Sequence, residues 1–197
     1  MGDCVSDPTP DFTAHITDLS KISSLTPAGT VQGGDLKPHG FLHNLPSAVA
    51  VPVYAPVDSY LIDYTYYYGY GQEAIYTFKF QVSCEVAYYF DHLGAVVDKL
   101  GDIMPAVPAS DSHGTPLSPP MFFQAGELIG YTGDTQGTRN WDFGVLNTER
   151  WNSLPTVPYV YSPNVEKYRF AVCQYQYFEE SIKSEYLALL GDQGCGP

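Results

Sequence analysis

The chain has 197 residues, 44% of them apolar, which suits one folded domain with a real core and excludes a disordered segment. It carries 22 Asp and Glu against 9 Lys and Arg, a formal charge of −13. That balance argues against a nucleic-acid-binding surface and against electrostatic docking to anionic lipid, because both need clustered Lys and Arg.

Residues 1–34, rich in Pro, Ser, Thr and Gly, read as an extended arm with little regular structure. Residues 52–90 change texture to β-branched and aromatic residues punctuated by Gly and Pro. Tyr60, Ile62, Tyr64, Tyr66 and Tyr68 keep a period of two, which predicts two or three antiparallel strands with "GYGQ" as a turn. Residues 91–104 suit a short helix or turn, and residues 105–120 a Pro/Ser loop. "GELIGYTG" and "WDFGVLN" read as strands, and "KYRFAVCQYQYF" as another. "EESIKSEYLALLGDQG" is a helix, with Ile182, Tyr186 and Leu189/Leu190 on one face and Gly191 as its stop. The class is all-β, an antiparallel assembly with an extended N-terminal arm and a C-terminal helix. Its parts are an arm (1–34), a β domain (35–152) and a strand-plus-helix extension (153–197) packed on that domain.

The 17 tyrosines suit half-buried strands, and they also suit peptide- or glycan-binding surfaces. Cys4, Cys84, Cys173 and Cys195 form no CxxC pair, so a Cys-based structural zinc site is not expected. Two disulfides in an oxidising compartment fit the even count, and a Cys173–Cys195 bridge would tie down the tail. "GDC" also fits a lipoprotein junction with Cys4 as a lipid anchor, and both readings stay open. No segment is long and apolar enough to span a membrane, and no signal peptide remains. The expectation is the mature part of an exported protein, extracellular, periplasmic or on the cell surface.

Five histidines carry the chemistry to consider. His15 and His113 sit in polar loops. His39 and His43, in "KPHGFLHNLP", are four residues apart; Pro38, Gly40 and Pro46 disfavour a helix, but residues i and i+4 of an extended chain also share a face. His92 ends an aromatic strand, "AYYFDHL". Asp91 beside it would face the other way on a regular strand.

The order of these pieces is informative. The His pair precedes "VPVYAPVDS", then "AYYFDHL", then "AGELIGYTGDT", then "NWDFGVL". Over about residues 36–148 this resembles the lysostaphin-type (glycyl-glycine endopeptidase) zinc metallopeptidases, which cut peptide cross-links of bacterial cell walls. Their pattern runs His-x-x-x-Asp, "PV-A--G-V", "Y-HL", "G--I-G--G-TG", then His-x-His-Phe-Glu. The resemblance implies an antiparallel sandwich or open barrel of that kind.

Matched position by position, it implies His39, His43 and Asp142 as metal ligands. A His stands where the family has its Asp, and an Asp where it has its last His. Two imidazoles and one carboxylate survive the exchange, enough for a catalytic zinc site with open positions for water, though another divalent transition metal would also fit. His92 and Asn140 match the two non-ligand histidines that flank the metal. Asn140 can donate a hydrogen bond but cannot shuttle a proton, and Gly144 replaces the Glu. Tyr66, Tyr67 and Tyr89 are candidates to line the groove. The implied function is metal-dependent hydrolysis of a cell-wall peptide or a related extracellular peptide or glycan. The alternative is a non-catalytic protein of the same fold, acting as a binding module or scaffold.

Overall fold

The computed structural model describes residues 4–32, 35–69, 71–133, 139–154 and 165–196. Its strands are β1 (Ile22–Thr26), β2 (Val31–Gln32), β3 (Asp35–Leu36), β4 (Gly40–Asn44), β5 (Pro52–Tyr54), β6 (Ser59–Tyr68), β7 (Ala74–Gln81), β8 (Val86–Val96), β9 (Thr115–Phe123), β10 (Leu128–Thr132), β11 (Asn140–Asn147) and β12 (Ala171–Val172). Helix α1 is a single turn (Asp98–Gly101), α2 is short (Val165–Arg169) and α3 is longer (Glu180–Leu190). The main sheet is antiparallel in the order β1-β4-β11-β8-β7-β6-β9 and does not close on itself. β10 bridges β8 and β5, β12 pairs with β11, and β2 and β3 form a separate ribbon.

Alternation along the central strands explains the core. Leu42, Trp141, Phe143, Phe90, Tyr88, Phe78 and Phe80 point to one face and are buried. Their rings interlock, with Phe90 stacked on Phe143 at 5.3 Å and Phe80 on Tyr88 at 4.8 Å. A short polar chain is buried with them. The Trp141 indole N–H donates to Asn44 Oδ1 (3.1 Å), and Asn44 Nδ2 donates to Thr132 Oγ1 (2.8 Å). Such groups are tolerated in a core because each finds a partner.

Several expectations need correction. The arm is not wholly irregular: Phe12 and Ile16 are fully buried, and β1 within it joins the main sheet, since Ile22 and Leu25 supply an apolar face. The proposed loop over 105–120 contains the start of β9, an outer strand that pairs only with β6. An outer strand accepts Pro116, Pro119 and Pro120 because it needs a partner on one side alone. The tyrosine alternation is interrupted between Leu61 and Asp63 by a register shift, so Leu61 is buried while Tyr60 is exposed. "KYRFAVCQYQYF" is largely not a strand; it spans part of α2, β12 and a 3-10 turn at Gln174–Tyr177. Tertiary burial overrides its β propensity: Tyr175 stacks on Tyr186 of α3 at 4.9 Å, and Tyr177 accepts from Asn147 Nδ2. Tyr70 of "GYGQ", Asp134 and Thr135 of "AGELIGYTGDT", and residues 155–164 lie outside the described residues.

Helix α3 follows its predicted face, with Ile182, Tyr186 and Leu190 buried and Gly191 as its C-cap. Cys173 is bridged to Cys195, and Cys4 to Cys84, across Cα separations of 5.3 and 5.1 Å. Two disulfides fit an oxidising compartment. Among the described residues no helix is long and apolar enough to cross a membrane.

The arm is pinned to α3 by a buried hydrogen bond, from the Ile16 backbone N–H to the Tyr186 hydroxyl at 2.9 Å. Tyr186→Phe leaves that N–H without a partner, and a buried unsatisfied donor costs about 1–3 kcal/mol. The expected result is a lower denaturant midpoint with an unchanged m-value.

Candidate metal centre

Opposite the aromatic core, the central strands present a second face. The register places Phe41 of β4, Asp142 of β11 and Asp91 of β8 in one cross-strand row. The neighbouring row sets Gly144 opposite Tyr89. A Cβ at Gly144 would lie 2.4 Å from the Tyr89 ring. The Glu of the family pattern would collide there, so Tyr89 and Gly144 are one local solution.

Asp142 is only 2% exposed, and both its oxygens face imidazoles. Oδ2 is 3.0 Å from His39 Nε2, and Oδ1 is 3.9 Å from His92 Nδ1. His39 sits one residue before β4, with its ring edge-on to Phe41 and to Tyr89. Its Nδ1 is 3.2 Å from the Tyr89 hydroxyl, which turns Nε2 toward Asp142. A partner on the second ring nitrogen is how metal-ligating histidines are usually oriented.

His92 reaches the site through a backbone irregularity. Tyr76 and Phe78 of β7 face Leu93 and Phe90 of β8, so β8 carries one extra residue. His92 takes φ +66°, a conformation side-chain-bearing residues seldom adopt. This bulge removes the alternation that would send Asp91 and His92 to opposite faces. Donor atoms of Asp91, His92 and Asp142 therefore all lie within 4.8 Å of one another. Asp91 is held in place by its neighbours. Its Oδ1 accepts from the Thr77 hydroxyl (2.5 Å), the His92 N–H (2.7 Å) and the Tyr67 hydroxyl (3.3 Å).

The other candidate residues fall as follows. His43 shares the face of His39, but Phe41 stands between them and is stacked with His43 at 6.5 Å. Its Nε2 is 2.8 Å from Thr26 Oγ1. The converging group among the described residues is Asp91, His92 and Asp142; His39 lies outside it but touches Asp142, whereas His43 has no hydrogen bond or ion pair with any of the three. Asn140 pairs with His43, its side chain is exposed, and its backbone carbonyl faces His92. Tyr67 and Tyr89 belong to the site face, whereas Tyr66 lies on the opposite one, stacked on Tyr76. Asp91, Thr77 and Lys167 carry no sequence signal of their own; only the bulge and the sheet register bring them together.

Burial sets the charge state. It pushes the Asp142 carboxyl up to about 8, with Asp91 adding to the rise and His92, Lys167 and Lys37 only partly offsetting it. It pushes His39 well below the usual imidazole value, with Lys167, His92 and Lys37 adding to the fall. Burial thus disfavours charge on both partners of the 3.0 Å contact. For His92, burial works against the charge, but Asp91, then Asp142 and the Asn140 carbonyl, outweigh it and raise its pKa.

The donors fit a divalent transition ion. Tetrahedral zinc with 2.0–2.1 Å bonds spaces its ligand atoms about 3.3 Å apart, and the 3.0 and 3.9 Å separations bracket that value. Asp142 Oδ1 is buried with no hydrogen-bond partner, an orphaned acceptor that a cation would satisfy. The converging His92, Asp91 and Asp142, with His39 beside Asp142, also suit iron(II), manganese or nickel.

The raised Asp142 pKa predicts a pH dependence for the metal-free protein. The folded state keeps its proton up to about 8, while the unfolded carboxyl loses it near the ordinary value of 3.8. Its contribution is full below that lower value and is lost as pH rises toward 8, with a slope of at most about 1.4 kcal/mol per pH unit. In chelator, Asp142→Asn should gain stability on the parent steadily between pH 4 and 8 in urea melts. A constant difference across that window would mean that Asp142 titrates like an exposed carboxyl.

No protein-family model matches the chain, and no curated protein matches it. Among solved structures it is similar to Csd3 from Helicobacter pylori, at 13% identity over 72% of this chain and 33% of that one, with a TM-score of 0.43. It is also similar to a zinc-containing peptidase from Vibrio cholerae, at 14% identity over 75% of this chain and 41% of that one, with a TM-score of 0.42. The chain thus spans well under half the length of either protein.

Proposed function

We propose that this protein is a metal-dependent hydrolase of peptides, of the kind found in bacterial cell-wall cross-links, acting outside the cytoplasm. The reading rests on one observation above all: a buried carboxyl, Asp142, faces imidazoles with both oxygens and leaves one of them unpartnered. The order of motifs from "KPHGFLH" to "NWDFG" supports the peptidase assignment, and the two disulfides support an extracytoplasmic location.

In this reading Asp142 and His39 hold the metal, His92 completes the set, and Asp91 contributes its second oxygen. A bound divalent ion supplies Lewis acidity, lowering the pKa of a bound water to about 7 and polarising the scissile carbonyl. Tyr89 fixes the His39 ring, and Tyr67 and Thr77 fix Asp91, so little reorganisation is left for the reacting complex.

One observation favours a second reading, a non-catalytic binding protein. Asn140 occupies the position of the family's second flanking histidine, and its exposed amide cannot carry a proton. Loss of one acid–base group costs about 10²–10⁴ in rate, which separates a slow enzyme from a fast one but does not remove the metal.

Elemental analysis of protein purified without chelator or His tag tests the proposal. The expected content is near-stoichiometric zinc or another transition metal, lost in Asp142→Ala, His39→Ala and His92→Ala and kept in His43→Ala. Loss in His43→Ala with retention in His92→Ala would restore the ligand set His39, His43 and Asp142. A protein that neither contains nor takes up metal ends the hydrolase reading. Metal without turnover of glycine-rich or cross-linked peptides selects the binding module.

A further inference from the structure

A cleft of about 410 Å³ adjoins the Asp142 centre on the same face of the sheet. Asp63, Thr65, Thr77, Lys79, Tyr89 and Lys167 are among its walls. Three of these lead directly to the centre: Thr77 donates to Asp91, Tyr89 meets His39, and Lys167 Nζ lies 4.1 Å above the Tyr89 ring.

The cleft's charge is at odds with the rest of the molecule. Only 9 of the 197 residues are Lys or Arg, yet two of them line this one cavity. Among the described residues no carboxylate lies within 4.0 Å of Lys167 Nζ, whose partner is the face of an aromatic ring. Lys79 occupies the next position in the cross-strand row Asp63–Lys79–Tyr89. Burial disfavours the charge on Lys167 most, Asp91 and Asp142 support it, and Lys79 disfavours it to a smaller degree. Two cations facing one cavity are an anion site waiting for its anion. Asp63 and Glu85 also line the cleft, and Asp91 and Asp142 support the charge on Lys167, but among the described residues none of the four forms an ion pair with its ammonium group. Glu85 is taken by Ser6, Ser83 and the Asp7 N–H, and Asp63 faces Lys79, which leaves Lys167 as the principal anchor.

We propose that this cleft binds a carboxylate of the peptide ligand, with Lys167 as its main partner and Lys79 as the second. The proposal rests on the reading of the Asp142 centre as the place where a peptide is processed, and it adds the register. The row holding Lys79 and Tyr89 is two residues along the strands from the row holding Asp91 and Asp142. That is about 7 Å, or roughly two residues of extended peptide. A ligand whose carboxylate meets Lys167 therefore lays an amide two residues upstream over Asp142. Hydroxyls of Thr65 and Thr77 on the cleft wall are donors for its backbone. The carboxylate belongs to a chain terminus or to an acidic side chain, and the two are separable by experiment.

Binding to the whole protein is measured by calorimetry for three probes: N-acetyl-trialanine with a free C-terminus, its C-terminal amide, and N-acetyl-Ala-Glu-Ala amide. The free acid is expected to bind about tenfold or more tightly than the amide, the scale of one charge-assisted contact. Lys167→Gln should abolish that preference, Lys79→Gln should reduce it, and Lys167→Arg should retain it. Tighter binding of the Glu probe than of the free acid assigns the site to a side-chain carboxylate. Equal binding of all three probes overturns the proposal, as does an acid preference that survives Lys167→Gln, or no binding of any probe. Metal content and turnover of the wild-type protein, measured beside the titrations, separate the two readings. Acid preference in a protein without metal or turnover keeps the cleft and removes the hydrolase, whereas turnover with equal binding does the reverse.

Discussion

A carboxyl group sealed into the middle of a β-sheet is the constraint around which this molecule is organised. Asp142 lies on β11, between β4 and β8, almost wholly buried. Such a group must be neutralised by a proton, by a fixed cation or by a metal, because an isolated charge in that position is too costly. The surroundings offer all three remedies in part. His39 Nε2 lies 3.0 Å from one oxygen, Lys167 and Lys37 lend positive potential, and His92 stands at the orphaned oxygen. One of its oxygens, Oδ1, is still left without a hydrogen-bond partner.

The neighbouring features follow from that placement. Tyr89 needs Gly144 opposite it to bring its hydroxyl to His39. Asp91 needs the extra residue of β8 to share a face with His92. Tyr67 and Thr77 then hold Asp91 in place through one of its oxygens. Each is a local departure from plain sheet geometry, and they concentrate within a few residues of Asp142. Departures of this kind gather where function competes with regular structure.

Much of the frame was legible because it depends on local pattern. The aromatic runs of β6 to β8 and the face of α3 announce themselves through periods of two and 3.6. His39, His92 and Asp142 could be picked out from the order of short motifs, although nothing in their spacing says how far apart their rings would stand. The bulge at His92 was not legible: a positive φ at a histidine has no composition cue, and a strict alternation rule sends Asp91 the wrong way. The stretch around Tyr175 was misread for a different reason, since its tyrosines are buried by stacking on α3 and not by pairing in a ladder. Lys167 belongs to a short helix whose role appears only once it is seen over Tyr89.

The outer strand β9 has a consequence for how this protein meets other chains. It pairs with β6 alone, and between Pro116 and Met121 its register slips past the partner strand. Prolines there offer no N–H to an incoming strand, and an irregular margin is a poor template for templated growth. This margin of the sheet is thus guarded against adding copies of itself or any extended segment edge-to-edge.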